Sequence, residues 1–110
     1  MDLFVFAGEP SGDLHGGQLI KMLRKQMPEL RISGVGGPNM RLHNMELLLP
    51  MEAFEVMGFT DVLFALPKLY RQFQQVKAHI LKTQPKAVVL IDYPGFNLRL
   101  AKALRKSGYK

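Results

Sequence analysis

Leu3-Phe4-Val5-Phe6-Ala7, followed by Gly8-Glu9-Pro10-Ser11-Gly12-Asp13-Leu14-His15-Gly16-Gly17, is the stretch whose reading decides the fold. An apolar run of strand length breaks into a segment rich in Gly, Pro and Ser, then into a helical pattern. This is how α/β proteins build the ligand-facing end of a first parallel strand. Gly8 and Gly12 permit a tight turn and close approach of a ligand, while Glu9, Ser11 and Asp13 place two carboxylates and a hydroxyl within one short segment. A local reading competes: Ser11 or Asp13 caps the following helix, accepting from its first-turn amides. His15, one turn further, reads as a surface or packing residue.

Working outward, the pattern predicts alternating strands and helices. Helix one runs from about Leu14 to Met27, with Leu19, Leu23 and Met27 as its apolar stripe, and Pro28 closes it. A second strand at about 31–35 ends among Gly34, Gly36 and Gly37, and Pro38 starts a short helix. Leu47-Leu48-Leu49 before Pro50 predicts a short third strand. A helical hairpin follows, whose long arm carries Leu69, Tyr70, Phe73, Val76 and Ile80 at spacings of three and four and ends before Pro85. Ala87–Ile91 is apolar throughout, as in a parallel strand buried on both faces. The last helix has Phe96, Leu100, Ala103 and Leu104 on its buried side, Asn97 as its capping candidate, and Gly108 as its stop. The expectation is a doubly wound, mainly parallel α/β sheet of the Rossmann-like kind.

The 110 residues suffice for one domain with a real core and not for two. Apolar residues make up 47% and charged residues 22%, which argues against disorder. There is no cysteine, hence no disulfide or thiolate metal site, which suits a reducing cytoplasm. Neither a signal peptide nor a membrane-spanning run is visible. Charge is divided: residues 1–66 carry a balance of −3, while residues 67–110 carry ten basic side chains against Asp92 alone, a balance of +9. The second half therefore invites an anionic partner, unless these cations are the solvated faces of two helices.

Asp92 directly follows the apolar strand Ala87–Ile91, so it is expected at a strand's carboxyl end beside the turn after strand one. A carboxylate there can accept a proton from an attacking hydroxyl. Glu9 also lies at a strand end and competes for that role. Gly34, Gly36 and Gly37 lack the spacing of a dinucleotide fingerprint, so nicotinamide binding is a poor reading. They suit either close approach to a sugar or phosphate or a tight strand-to-helix turn. No cluster has metal-ligand spacing, and no metal or cofactor is expected. Val62, Leu63, Phe64, Leu66 and Leu69 beside Lys68 and Arg71 describe either an interfacial membrane contact or a core-facing hairpin.

Four ordered segments carry a resemblance: Gly8-Glu9-Pro10-Ser11-Gly12-Asp13, Gly34-Val35-Gly36-Gly37-Pro38-Asn39-Met40, Phe54-Glu55-Val56-Met57-Gly58-Phe59 and Ile91-Asp92-Tyr93-Pro94-Gly95-Phe96-Asn97. Together they resemble the lipid-A-disaccharide synthase family, inverting glycosyltransferases of the GT-B type. The resemblance implies a chain that is the first part of an N-terminal, acceptor-side α/β domain, with the donor-binding second domain outside it and no activity in residues 1–110 alone. It implies transfer of 2,3-diacylglucosamine from UDP to 2,3-diacylglucosamine 1-phosphate, and peripheral attachment at the cytoplasmic face of the inner membrane. By the same resemblance Asp92 is the favoured base with Glu9 as its rival. Gly8, Ser11, Gly12, Asp13, Gly36, Gly37 and Asn97 bind substrate, and the segment Val62–Arg71 meets the membrane. Two other functions remain in play: another α/β nucleotide-sugar transferase, and a basic module for anions or nucleic acid. Charge alone supports the last, with no zinc ligands, recognition motif or Arg-Gly tract, so nucleic acid is not the expected partner.

Overall fold

The computed structural model describes the backbone of residues 2–54, 59–91 and 94–108, and the side chains of these except 59–66, 94 and 95. The elements are β1 (Leu3–Ala7), α1 (Pro10–Gln26), β2 (Ile32–Gly36), α2 (Pro38–Arg41), β3 (Glu46–Pro50), a 3₁₀ turn (Met51–Phe54), α3 (Phe59–Thr83), β4 (Ala87–Ile91) and α4 (Pro94–Lys106). All strand pairs are parallel, in the order β3-β2-β1-β4. The expected α/β fold with a parallel sheet is what the chain forms.

β1 explains the layering. Its side chains alternate, so Phe4 and Phe6 enter one apolar cluster while Leu3, Val5 and Ala7 enter another. The first cluster takes Val76 and Ile80 from α3 and Leu100 and Leu104 from α4; the second takes Ile20 from α1 and Met40 from α2. Helices therefore cover both faces, and β1, wholly apolar, is buried on both. At one end of the first cluster four aromatic rings join separate elements. Phe6 stacks on Phe96 (centroids 4.9 Å) and meets Phe54 edge-on (5.1 Å), and Phe73 meets Phe96 edge-on (5.5 Å).

Several local expectations change. α1 begins at Pro10 rather than Leu14, because proline at the first helical position has its backbone preset and no amide to leave unbonded. Its buried face is not the leucine stripe: Gly12, Asp13, Gly16, Gly17 and Ile20 are buried, whereas Met27 is exposed. The expected hairpin is one helix, α3, running through Pro67. An internal proline costs about 3 kcal/mol, which the burial of Val76 and Ile80 on one face of α3, at about 1.5–3 kcal/mol each, offsets. Tyr70, expected in that stripe, points to solvent at 64% exposure. β4 has the expected limits but is only half-buried, because it forms an edge of the described sheet. Asn97 lies inside the first turn of α4 rather than capping it, since Pro94 opens that helix. Gly108 does stop the chain's last helical turn, with φ +88.

Candidate functional site

The strand order β3-β2-β1-β4 means that the chain leaves β1 toward β2 on one side and returns to β4 on the other. Such a reversal marks the carboxyl ends of β1 and β4 as the place where open α/β sheets hold ligands, in the crevice outside the strand ends. Ala7 pairs with Ile91, so Gly8 and Glu9 follow β1 at the end of the sheet where β4 finishes. Asp92 itself lies outside the described residues, as do the side chains of Val62, Leu63, Phe64 and Leu66. Glu9 is exposed and serves as the N-cap position of α1 through its backbone alone (φ −137, ψ 156), without a side-chain capping bond. Ser11 is exposed and Gly8 buried. Because Pro10 has no amide and the Asp13 amide donates to the Glu9 carbonyl (2.9 Å), the Ser11 and Gly12 amides precede the helical ladder.

Asp13 is 1% exposed, and its carboxylate turns away from its own helix end toward the next turn. Oδ1 accepts from the amides of Gly37 (2.8 Å) and Met40 (3.0 Å); Oδ2 accepts from the Asn39 amide (3.0 Å) and from Asn39 Nδ2 (3.0 Å). α2 begins after Gly37, which has no side chain to cap it, so Asp13 supplies the cap from α1. A Cβ on Gly37 would stand 2.8 Å from Asp13 Cγ, and one on Gly17 would stand 2.9 Å from Asn39 Cβ. A Cβ on Gly12 would press Ala7 Cβ and Ile91 Cγ2 at 3.3 Å each. Gly36 and Gly16 both face Met40 Sδ, at 2.6 and 2.7 Å from such an added atom. Asp13, Gly16 and Gly17 of α1 and Gly36 and Gly37 of the second signature are thus two halves of one joint, which brings α1 and the β2–α2 turn into contact, while Gly12 lets α1 approach β1 and β4. The local capping alternative for Asp13 is realised on α2 instead of α1.

Asn97 is buried, and its Nδ2 donates to the Ile91 carbonyl (3.5 Å), tying α4 to the carboxyl end of β4. Leu69 is half-buried, while Lys68 and Arg71 on α3 are exposed. A cleft of about 410 Å³ opens elsewhere, at the amino ends of β2 and β3, lined by Arg24, Leu30, Arg31, Ile32, Asn44 and Glu46. One of its two arginines is structural. Arg24 donates to the carbonyls of His43 (3.0 Å), Asn44 (2.9 Å), Pro28 (3.3 Å) and Leu30, riveting the end of α1 to two loops. We place the candidate site at the carboxyl ends, where glycines, Glu9 and Ser11 converge, and not at this cleft.

Under the opposite sheet face, Ser33 Oγ and His79 Nε2 share a hydrogen bond (3.0 Å), and the His79 ring lies against Phe4 (5.6 Å). Burial pushes His79 below its ordinary pKa, with Lys82 acting the same way and Glu46 opposing. Asp2 is held below the usual carboxylate range chiefly by the Arg31 amide, which donates to it. Among the described residues no three His, Cys, Asp or Glu side chains could hold a metal ion.

Sequence reasoning missed the Asp13 joint and the Arg24 rivet. The first had a signal: a helix opening Gly-Pro after a Gly-x-Gly-Gly strand end has bare first-turn amides that need an acceptor from elsewhere. Arg24 had none, since its partners are backbone carbonyls brought near by folding.

Comparison with known proteins agrees with this architecture. Residues 3–110 match the family model described as lipid-A-disaccharide synthetase. A lipid-A-disaccharide synthase of Chlamydia trachomatis (serovar D) is 49% identical over 107 residues, covering 97% of this chain and 18% of the relative. One from Chlamydia pneumoniae is 46% identical over the same share of each. Lipid-A-disaccharide synthase 1 of Legionella pneumophila (strain Paris) is 40% identical, covering 96% of this chain and 28% of the relative. The chain spans 18% to 28% of these proteins' length. Four signatures on one parallel α/β frame, matched over nearly every residue, make this chain a member of the lipid-A-disaccharide synthase family.

Proposed function

We propose that residues 1–110 form the acceptor side of an inverting glycosyltransferase of lipid A assembly. The enzyme transfers 2,3-diacylglucosamine from its UDP carrier to 2,3-diacylglucosamine 1-phosphate. The acceptor's 6-hydroxyl attacks the anomeric carbon from the face opposite UDP, a carboxylate takes the hydroxyl proton, the β-1,6 bond forms, and UDP leaves with the bonding pair. Asp92 is the base we favour, with Glu9 as the rival. Ser11 and the glycine-rich turns would orient the acceptor, and the UDP-sugar would be held mainly by a second domain outside these residues. The observation that carries the reading is the pairing of Ala7 with Ile91, which joins two of the family's signatures at the fold's natural ligand crevice.

The same reading puts the protein on the inner face of the cytoplasmic membrane as a peripheral enzyme. No helix among the described residues is long and apolar enough to cross a membrane. The segment Val62–Arg71 would dip apolar side chains among acyl chains and set Lys68 and Arg71 against anionic headgroups. Substrates with acyl chains make such a contact useful.

The test is a chimera in which this chain replaces the matching segment of the Chlamydia trachomatis relative. Disaccharide 1-phosphate and UDP should form in equal amounts, and Asp92→Asn should abolish turnover while Glu9→Gln retains part of it. The reverse ranking would move the base to Glu9. No product from the parent chimera would remove the proposed function.

A further inference from the structure

Asp13 belongs to the first signature, yet its carboxylate is almost wholly buried and engaged by four donors of the β2–α2 turn. A carboxyl group at that depth, with no cation hydrogen-bonded or ion-paired to it among the described residues, is held by three backbone amides and the Asn39 side-chain amide. Three of them are the first-turn amides of a four-residue helix too short to hold itself in place. Gly37 is bare where the carboxylate enters, and Gly16 and Gly17 flatten α1 against Met40 and Asn39 so that the approach closes. Asp13 lies in the first turn of α1, and its own amide bonds the Glu9 carbonyl. The carboxylate and the Glu9–Ser11 backbone are therefore parts of one short rigid stretch.

We infer that Asp13 is a positioning residue for sugar transfer. By binding the β2–α2 turn it holds the Gly8–Gly12 backbone in a single arrangement at the crevice, so that Glu9 and Ser11 are in place before the acceptor arrives. The inference rests on the proposed function for what is being positioned, and the geometry predicts a specific failure. Asn in place of Asp13 keeps the size but turns one acceptor into a donor facing donors, which opens the joint. Displacements of about 1 Å at a reacting centre cost on the order of a hundredfold in rate.

Two measurements test it. Amide hydrogen exchange on the chain compares Asp13→Asn with Ile20→Val, a core change on the same helix that costs about 1 kcal/mol. Asp13→Asn should speed exchange at the Leu14 and His15 amides, whose helical bonds run back to the Pro10–Ser11 backbone, by about tenfold or more beyond the control; a change confined to Gly37–Met40 overturns the inference. In the chimera, Asp13→Asn should lower kcat by about a hundredfold with KM for the UDP-sugar little changed, while Ile20→Val keeps the parent kcat. Parent-like kcat in Asp13→Asn also overturns it. If the parent chimera makes no disaccharide, the proposed function fails, and the exchange result alone decides whether Asp13 holds the turn.

Discussion

At the scale of single residues, the sharpest constraint is Gly34 in the middle of β2. A Cβ there would lie 2.0 Å from the Val5 carbonyl oxygen and 3.0 Å from its carbon, both backbone atoms that cannot step aside. The ladder between β2 and β3 shifts register just after this residue. Gly34→Ala should therefore cost about 3 kcal/mol or more, read as a lowered urea midpoint; a loss under about 1 kcal/mol would contradict the packing. His79 makes a pH-dependent prediction. Its folded pKa is below the unfolded one, so the folded state binds fewer protons and stability rises with pH. The loss should begin as pH falls through the ordinary histidine value of 6.5 and be complete once pH is below the folded value. Thermal melts between about pH 7.5 and 5, the histidine range, should show a shallower decline for His79→Gln than for the parent; equal slopes would contradict the assignment. Neither feature was legible in the sequence. Gly34 looked like part of a ligand turn, and Ser33 and His79 are 46 positions apart.

Elements were legible where apolar pattern and burial coincide, and misread where glycine replaces side chains. β1 and β4 came out with the expected limits because a continuous apolar run is hard to read otherwise. α1 did not, because its sheet-facing side is built of glycines and Asp13, which carry no hydrophobic signal. That glycine face ranks two substitutions. Gly17→Ala would drive its Cβ into the Asn39 backbone at 3.0 Å, whereas Gly16→Ala meets the flexible Met40 thioether. Alanine in a helix interior gains up to about 1 kcal/mol over glycine. Gly16→Ala should thus be close to neutral, and Gly17→Ala should lose about 1–3 kcal/mol. Equal midpoints in chemical denaturation would show that α1 and α2 are not pressed together as described.

For the molecule as a whole, the sheet order points ligand binding to one end of the strands and the charge division creates a cationic second half. The four signatures named the family, but only the fold explains their separate duties. Two of them interlock through Asp13, Gly37 and Asn39, while Ile91 and Asn97 of a third tie β4 to α4. The base remained a choice between Asp92 and Glu9 because sequence order carries no distance to an absent substrate. The membrane reading predicts that Lys68→Glu with Arg71→Glu weakens binding to vesicles of anionic phospholipid, with the difference shrinking as salt rises. Unchanged binding at low salt would return these cations to ordinary solvated surface. The most direct test of the site's location is an amide-shift titration of the isotopically labelled chain with a short-chain 2,3-diacylglucosamine 1-phosphate. The account predicts perturbations centred on Gly8–Gly12 and residues 92–97, at the carboxyl ends of β1 and β4. Perturbations centred instead on the cleft of Arg24, Arg31 and Glu46 at the amino ends would contradict it.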